Sequence, residues 1–422
     1  MKEWVPYKLK EITTKIGSGS TPTGGKEAYY QSGITLVRSL NIYDFVFELQ
    51  NLAFINKAQA KKLNGVTIEK DDILLNITGA SVGRCTIIPE YLLPARVNQH
   101  VSIIRCDKEK VDAKFLLYCI NSTSYKDALM SIADSGATRE ALTKDDIEKF
   151  QVLLPSLPLQ QQIASILSAY DDLVEVNNQR IKLLEETARE LYKEWFVRMR
   201  FPGYKKAKFV KGIPKTWTIE SLKDHITIVR GKSYTSEEID DNTGDHAFIN
   251  LKNMKRNGGF RLDGTKFFSG KFKKEQVVLP GDIVMAVTDM TQDRLIVGRV
   301  ARVPLTEHKE YVISLDIVKI VSTKLSNDFI YSTLRFNYYG EHIAQFANGT
   351  NVLHLNPELL RKESILIPDE DLIKSFVQTV KPMFELVDVL AIEIEQLRQI
   401  RDRLLPRLIS GKLVVKEIIK TN

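Results

Sequence analysis

Short runs of β-branched and apolar residues fill the chain up to about residue 155, and a second set fills residues 214–368. The first set comprises ITLVRSLNI, DDILLNIT, RCTII and HVSIIR, and the second comprises HAFINLKNM, GDIVMAVT, VGRVARV and ISLDIVKIV. Gly, Asp or Asn bounds most runs, which is typical of short β-strands. A helical stretch follows each set, AKFLLYCINSTSYKDALMSIA or NDFIYSTLRFNYYGEHIAQFA, and then a short strand that ends in proline, FQVLLP or SILIP. The pattern predicts two mixed α/β domains.

A long amphipathic helix is predicted after each domain. Its apolar positions alternate by three and four residues, which is the pattern of a coiled-coil seam. We place the first helix from about Leu159 to about Val197, and expect Pro382 and Pro406 to kink the second or delay its start. The seam positions are Leu167, Tyr170, Val174, Asn177, Ile181, Leu184, Ala188, Leu191 and Trp195, and then Val380, Met383, Val387, Leu390, Ile394, Leu397, Arg401, Leu404 and Leu408. Ordinary core packing in two helical bundles is the alternative interpretation of this seam.

The two halves are copies of one another. The recurring residues, each pair 213 positions apart, are Trp4 and Trp217, Leu9 and Leu222, Gly136 and Gly349, and Pro155 and Pro368. The second seam is likewise the first displaced by 213 positions. The spacing drifts by a few residues inside each half and then returns, which indicates duplication of one folding unit with loops of different length.

The fold expected from this duplication is α+β. Two homologous mixed α/β domains are separated by two long helices, which form an antiparallel coiled coil with pseudo-twofold symmetry. The predicted boundaries are a first domain at 1–155, a central long helix at 156–200, a basic linker at 201–213, a second domain at 214–368, a C-terminal long helix at 369–413 and a tail at 414–422.

Composition adds a mild preference for a polyanionic partner. The 422 residues carry 60 Lys and Arg against 53 Asp and Glu, a formal net charge of +7, so nucleic acid is a plausible ligand. The three cysteines, Cys85, Cys106 and Cys119, lie in apolar runs without a CxxC pair and are expected to be buried free thiols. No apolar run reaches the roughly 20 residues of a membrane helix, and MKEWVPYKLKEI lacks the apolar core of a signal peptide. We therefore expect a cytoplasmic protein with no membrane partner.

Recognisable catalytic and metal-binding motifs do not occur in the sequence. Gly231-Lys232-Ser233 resembles the end of a P-loop, but Ile226 stands where the first glycine is required. The six histidines show no metal-ligand spacing. We predict no catalytic residues and no metal site.

The duplicated order of motifs resembles the specificity (S) subunits of type I restriction–modification systems. The resemblance rests on GSGSTP, DDILLNITGASVGR, VNQHVSIIR, SGATREALTKDDIEKFQVLLPSLPLQQQIASIL, ELYKEWFVRMRFPG and the closing LLPRLISGKL. It extends over nearly the whole chain. The second half departs further from the pattern, with TDMTQDRLIVGR in place of TGASVGR and NGTNVLHLN in place of SGATREALT.

Membership of this family would imply a non-catalytic, DNA-binding subunit. Each domain would read one part of a split double-stranded DNA target, and the helices would act as a spacer and docking platform. The implied partners are two methyltransferase (M) subunits and two restriction/translocase (R) subunits. S-adenosylmethionine, ATP and Mg would belong to those partners, so we expect no cofactor on this chain.

Base reading requires side chains with hydrogen-bonding groups on exposed loops. The repeat pairs several candidates, Arg38 with Asn250, Asn41 with Asn253 and Thr78 with Thr288. A solvated turn residue or a cap is the alternative role for each. The candidates in the first half are Ser18, Ser20, Thr21, Arg38, Asn41, Thr78, Ser81, Arg84, Thr138 and Arg139, and those in the second are Arg230, Lys232, Ser233, Tyr234, Asn250, Lys252, Asn253, Thr288, Thr291, Arg294, Thr350 and Asn351.

Three other functions remain open at this point. The chain could serve a methyltransferase-only complex or another type of restriction system. It could be a scaffold whose duplicated domains bind proteins rather than DNA, or an enzyme with an unrecognised site.

Overall fold

The structure is a computed structural model that describes residues 4–134, 140–241, 243–308, 310–413 and 415. The chain divides into two compact units, one comprising Met1–Val174 and Gln396–Asn422 and the other Glu175–Glu395. Each unit therefore contains one predicted domain and part of each long helix.

In the first unit, an antiparallel and a mixed sheet lie at the centre. The antiparallel sheet has the strand order Thr13–Ser18, Val101–Cys106, Ile73–Asn76, Cys85–Ile87. The mixed sheet has the order Ala53–Ile55, Ile34–Val37, Ala95–Val97, Thr67–Ile68, in which the middle pair is parallel. Two-stranded pairs join Val5–Lys8 to Gln151–Leu154 and Ile42–Tyr43 to Val46–Phe47, and the short helices are Leu9–Ile12, Lys57–Lys62, Ala113–Asn121, Thr123–Asp134 and Lys144–Lys149.

The second unit repeats this arrangement. Its antiparallel sheet has the order Ile226–Arg230, Ile317–Ser322, Ile283–Ala286, Val300–Arg302. Its mixed sheet has the order Ile239–Asp240, Lys266–Phe268, His246–Ile249, Tyr311–Ile313, Val277–Val278, in which the third and fourth strands are parallel. Two-stranded pairs join Phe209–Val210 to Ile213–Pro214, Thr218–Ser221 to Ser364–Ile367 and Thr288–Asp289 to Leu353–His354, and the short helices are Asn327–Phe336, Tyr339–Ala344 and Glu358–Arg361.

Strand register confirms the duplication of the folding unit. Val5 pairs with Leu154 in the first unit, and Thr218 pairs with Ile367 in the second, so both partners are displaced by the same interval. The bridge between Thr78 and Ala141 likewise corresponds to the pairing of Thr288 with His354. The displacement from Thr78 to Thr288 is three residues shorter than that from Ala141 to His354, which reflects a difference in loop length. Each of the eight strands in the two main sheets of the first unit thus has a counterpart in the second unit, and the two units differ mainly in their loops.

The two long helices are the central helix, Leu157–Tyr192, and the C-terminal helix, Glu370–Ile409. A π-helical turn, Lys193–Val197, extends the central helix to the end that the sequence predicted. None of the eighteen predicted seam positions is exposed. Within the second unit, Tyr192 contacts Phe376 while Ile181 lies near Val387, so the helical segments there run antiparallel.

The expectation of a late start to the C-terminal helix is wrong. That helix begins at Glu370 and continues through both Pro382 and Pro406. Both prolines are exposed to solvent. A carbonyl group released by a missing N–H can therefore be hydrated, which lowers the cost of each proline.

Candidate nucleic-acid interface

In the first unit, three loops meet where the chain passes from the mixed sheet to the antiparallel sheet. The crossing is the turn Asn98–His100, between the strands Ala95–Val97 and Val101–Cys106. Strand Thr13–Ser18 ends beside it, and the Gly19 N–H donates to the Asn98 carbonyl at 3.1 Å. A Cβ atom on Gly19 would lie 1.8 Å from the Val97 carbonyl oxygen, so no other residue fits here without a backbone shift.

A chain of hydrogen bonds links the loops at this edge. The Thr21 hydroxyl is bonded to Gln99 Oε1, Gln99 Nε2 lies 3.1 Å from His100 Nε2, and His100 Nδ1 lies 2.6 Å from Thr78 Oγ1. Because an amide nitrogen only donates, His100 Nε2 accepts from Gln99, which leaves Nδ1 to donate to Thr78. The four side chains therefore form one directional network across three loops.

Two candidate arginine side chains of the first unit are held against aromatic rings. The Arg84 guanidinium lies 4.8 Å from the centre of the Tyr43 ring, and that of Arg38 lies 5.5 Å from the centre of the Tyr29 ring. Arg38 also donates to the Asn51 carbonyl at 2.5 Å. Such stacking restrains a long side chain while its charge stays available to a phosphate or a base.

The second unit uses the same crossing with different side chains. A Cβ on Gly231 would lie 1.9 Å from the Ser314 carbonyl oxygen, which matches the close approach at Gly19. The Lys232 N–H donates to the Ile313 carbonyl at 2.8 Å. Thr288 donates to Asp316 Oδ1 at 2.9 Å, so a carboxylate stands where the first unit has the His100 imidazole.

Asp289 organises a longer loop in the second unit. The carboxylate is 1% exposed and accepts from the Thr291 N–H and hydroxyl at 2.9 Å and from the N–H groups of Ile296 at 2.9 Å and Val297 at 3.3 Å. Burial by itself would raise the pKa of Asp289, but these hydrogen bonds outweigh it and lower the pKa. This loop is the TDMTQDRLIVGR segment that departs from the first half.

Most of the predicted base-reading residues reach the surface of their unit. Nine are exposed, namely Ser18, Ser20, Thr21, Arg230, Ser233, Lys252, Thr291, Thr350 and Asn351. Seven are half-buried, namely Arg38, Thr78, Ser81, Arg84, Lys232, Tyr234 and Arg294. Thr138 and Arg139 lie outside the described residues. Contact of these residues with DNA remains a prediction.

Four candidates are buried, so the expectation that they lie on exposed loops is wrong. Asn41 and Asn253 are both fully buried. Asn41 Oδ1 accepts from the Arg38 N–H at 3.1 Å, and Asn253 Oδ1 accepts from the Asn250 N–H at 2.9 Å. Each amide nitrogen donates to a backbone carbonyl of the following loop, that of Glu48 or of Arg261. These paired asparagines are structural caps, as the alternative interpretation held.

Asn250 and Thr288 are the other two buried candidates. Asn250 Nδ2 donates to the Gly264 carbonyl at 3.1 Å, and its Oδ1 accepts from the Lys252 N–H at 2.8 Å. Thr288 is held by Asp316. Both side chains are buried and bonded within the fold, so neither faces a base in this structure.

Sequence reasoning missed Gln99, His100 and Asp316. Gln99 and His100 stand in VNQHVSIIR, where polar residues interrupt two apolar runs, and that interruption was the available signal. Asp316 interrupts ISLDIVKIV in the same way. Their closeness to Thr21, Thr78 and Thr288 could not be read from the sequence, because it depends on pairing between distant strands.

Trp195 and Phe196, at the end of the central helix, are part of the second unit's core. Both are less than 10% exposed. Phe196 lies with its ring centre 4.9 Å from that of Phe376 and 5.9 Å from that of Trp217. These two side chains therefore pack against the adjoining domain.

Within the described ranges, no group of three or more His, Cys, Asp or Glu side chains could hold a metal ion. No described helix combines the length and apolarity needed to cross a bilayer. All three cysteines are free and buried, as predicted, and burial raises the pKa of Cys85 to about 12.

Comparisons with known proteins agree with the architecture. The family described as type I restriction modification DNA specificity domain matches residues 1–186. The MjaIX specificity subunit of Methanocaldococcus jannaschii is 26% identical over 99% of this chain and 95% of its own length. The HindI specificity subunit of Haemophilus influenzae is 22% identical over 98% of this chain and all of its own length.

A solved structure supports the same fold. The S subunit of a type I restriction–modification system from M. genitalium superposes with a TM-score of 0.59 and 15% identity, and 96% of each chain is covered. The specificity domain matched in the first half and the relatives that match along the whole length lead to one conclusion: the chain is similar to the specificity subunits of type I restriction–modification systems.

Proposed function

We propose that this chain is the sequence-reading subunit of a type I restriction–modification complex, with each unit contacting one part of a split double-stranded DNA target. The observation that carries the proposal is the repeated framework with different loop side chains. Two readers with one fold but different donors and acceptors are what a target with two dissimilar parts requires.

The crossing turns illustrate this difference. Gln99 and His100 occupy the turn in the first unit, whereas Leu315 and Asp316 occupy the corresponding positions in the second. An amide can donate and accept, a carboxylate only accepts, and leucine offers only apolar contact, for example to a thymine methyl group. The two units should therefore prefer different bases.

The long helices are proposed to space the readers and to bind partner subunits. The repeat leaves a pair of exposed apolar residues on each helix, Leu173 and Val176 on the central helix and Leu386 and Val389 on the C-terminal helix. Exposed apolar residues at repeated positions favour two equivalent partners. Two methyltransferase subunits would occupy them, and two restriction subunits would complete the complex.

Catalysis is assigned to those partners. S-adenosylmethionine, ATP and Mg would be bound by the methyltransferase and restriction subunits, and this chain would supply binding energy and position. The assignment is tested by measuring binding of radiolabelled duplexes, and methyl transfer to them, for the purified chain and for its reconstituted complex. Methyl transfer to DNA by the chain alone would contradict it.

Exchange of one unit provides the decisive test of two independent readers. Replacing residues 214–368 with those of another specificity subunit should change one part of the methylated motif and leave the other part unaltered. Sequencing of methylated sites in a host that carries the reconstituted system measures this directly. A change in both parts, or failure of the wild-type complex to bind any duplex at low salt, would refute the proposal.

A further inference from the structure

The turn Asn98–His100 holds one exposed amide in a fixed orientation. We propose that Gln99 is a specificity-determining residue that reads an adenine in the part of the target bound by the first unit. This inference rests on the proposed function, since it names the base that one residue of that site would recognise.

The backbone beneath Gln99 is fixed from several directions. Asn98 is 5% exposed, and its Oδ1 accepts from the His100 N–H at 3.0 Å. The Asn98 carbonyl accepts from Gly19, and the Asn98 N–H donates to the Val37 carbonyl at 3.1 Å. Little conformational entropy remains to be lost at this turn on binding, which favours its use as a recognition element.

The orientation of the Gln99 amide is fixed by its neighbours. Thr21 donates to Oε1, and Nε2 donates to the His100 ring, which in turn donates to Thr78. Each amide atom has one further capacity, a second lone pair on Oε1 and a second hydrogen on Nε2. Gln99 is exposed, so this acceptor and donor pair is available to a ligand.

Adenine matches this pair in the major groove. Its N6 amino group donates and its N7 atom accepts, so one glutamine amide can bond both at once. Guanine presents two acceptors at the same edge and leaves Oε1 facing an acceptor. A well-formed bidentate contact discriminates by about 10- to 100-fold between bases. His100 and Thr21 would act as positioning residues for this contact.

The second unit supplies a matched control. Its crossing turn is built in the same way, with Gly231 against the Ser314 carbonyl, but Leu315 takes the place of Gln99 and is 44% exposed. Leu315 belongs to the second unit and its side chain cannot hydrogen bond. Removal of that side chain should therefore leave adenine reading in the first part of the target unchanged. Gln99→Ala and Leu315→Ala are therefore comparable truncations with different expected consequences.

The test uses the full chain in complex with its methyltransferase subunit and a library of randomised duplexes. For Gln99→Ala we expect the preference for adenine at one position of one half-site to fall by about 10-fold or more, with the other half-site unchanged. Thr21→Val should weaken the same preference partially, whereas Thr21→Ser, which keeps the hydroxyl, should retain it. Leu315→Ala should affect only the other half-site.

Modified DNA makes the test independent of folding. Replacement of N7 by carbon at the read adenine (7-deazaadenine) should weaken binding of the wild-type complex and have no further effect on the Gln99→Ala complex. If no adenine of that half-site responds to this replacement, or if Gln99→Ala selects the wild-type motif, the assignment of Gln99 is overturned while the proposed function stands. If the wild-type complex selects no sequence at all, the proposed function itself fails.

Discussion

In the first unit, a cluster of polar contacts links the two long helices to the globular domain, and its contribution to stability can be tested by mutation. We call this cluster of Arg401, Asp171, Tyr118 and Phe45 the polar joint. Arg401 of the C-terminal helix forms an ion pair with Asp171 of the central helix, and its guanidinium lies 4.2 Å from the centre of the Phe45 ring. Tyr118 donates to the same carboxylate. The side chains of Arg401 and Asp171 are 10% and 26% exposed, so the joint is largely sheltered from water.

The corresponding helix positions of the second unit carry no charge, although Arg302 of a neighbouring strand pairs with Asp388 one turn further along the C-terminal helix. The positions that correspond to Asp171 and Arg401 are Phe384 and Ala188. Ala188 is fully buried, and the rings of Tyr331 and Phe384 lie 5.3 Å apart. Apolar side chains are therefore compatible with these two helix positions, so the framework itself does not require the pair of Arg401 with Asp171.

We predict that Arg401→Met lowers the free energy of unfolding of the first unit by about 2–3 kcal/mol. Loss of one partner of a fully buried pair costs about 3–5 kcal/mol because the other charge is left uncompensated, and the partial exposure of Asp171 reduces this cost. The lost contact with Phe45 contributes about 0.5–1 kcal/mol. In a unit of this size the melting temperature should fall by about 5–10 °C.

The double variant Arg401→Met/Asp171→Asn should recover at least half of that loss. Asparagine removes the uncompensated charge and keeps an acceptor for the Tyr118 hydroxyl. Arg403→Met provides a control on an exposed position of the same helix and should stay within about 0.5 kcal/mol of the wild type. Thermal and urea unfolding measure all three. An Arg401→Met protein that melts with the wild type, or a double variant less stable than the single one, would refute the reasoning.

Three further predictions concern single residues. Asp289→Asn should destabilise the second unit above pH 3.8, the ordinary pKa of aspartate. Because the fold lowers the pKa of Asp289, the ionised carboxylate stabilises the unit fully above that pH, and this stabilisation is lost as the pH falls below it. The difference in melting temperature between the variant and the wild type should therefore shrink on acidification. Gly19→Ala should cost at least about 1–3 kcal/mol through the clash with the Val97 carbonyl, whereas Gly17→Ala, with no atom within 4 Å of the new Cβ, should melt near the wild type. Asn177→Leu should raise stability by about 1–2 kcal/mol, because Asn177 is 2% exposed with an unpaired Nδ2; a lower melting temperature would show that this amide has a partner when the protein is in solution.

Periodicity and self-similarity determined the architecture. Seam residues three and four positions apart must share one face of a helix, whatever the helix packs against, so both long helices and their buried positions could be predicted. The displacement that recurs between the halves required one framework in both, because equal patterns of apolar residues bury equal surfaces. The strands predicted around residues 73 and 283 lie at the same place in the two antiparallel sheets.

Only the tertiary structure could separate recognition residues from caps. Asn41 and Gln99 are both polar residues next to a strand, and nothing local distinguishes them. Asn41 faces inward because its hairpin folds back and supplies two carbonyl groups, whereas Gln99 faces outward because a crossing between two sheets leaves its side chain at an edge. Local sequence sets the conformation of a loop, but burial is decided by segments that are distant along the chain, and these meet only when the sheets have formed.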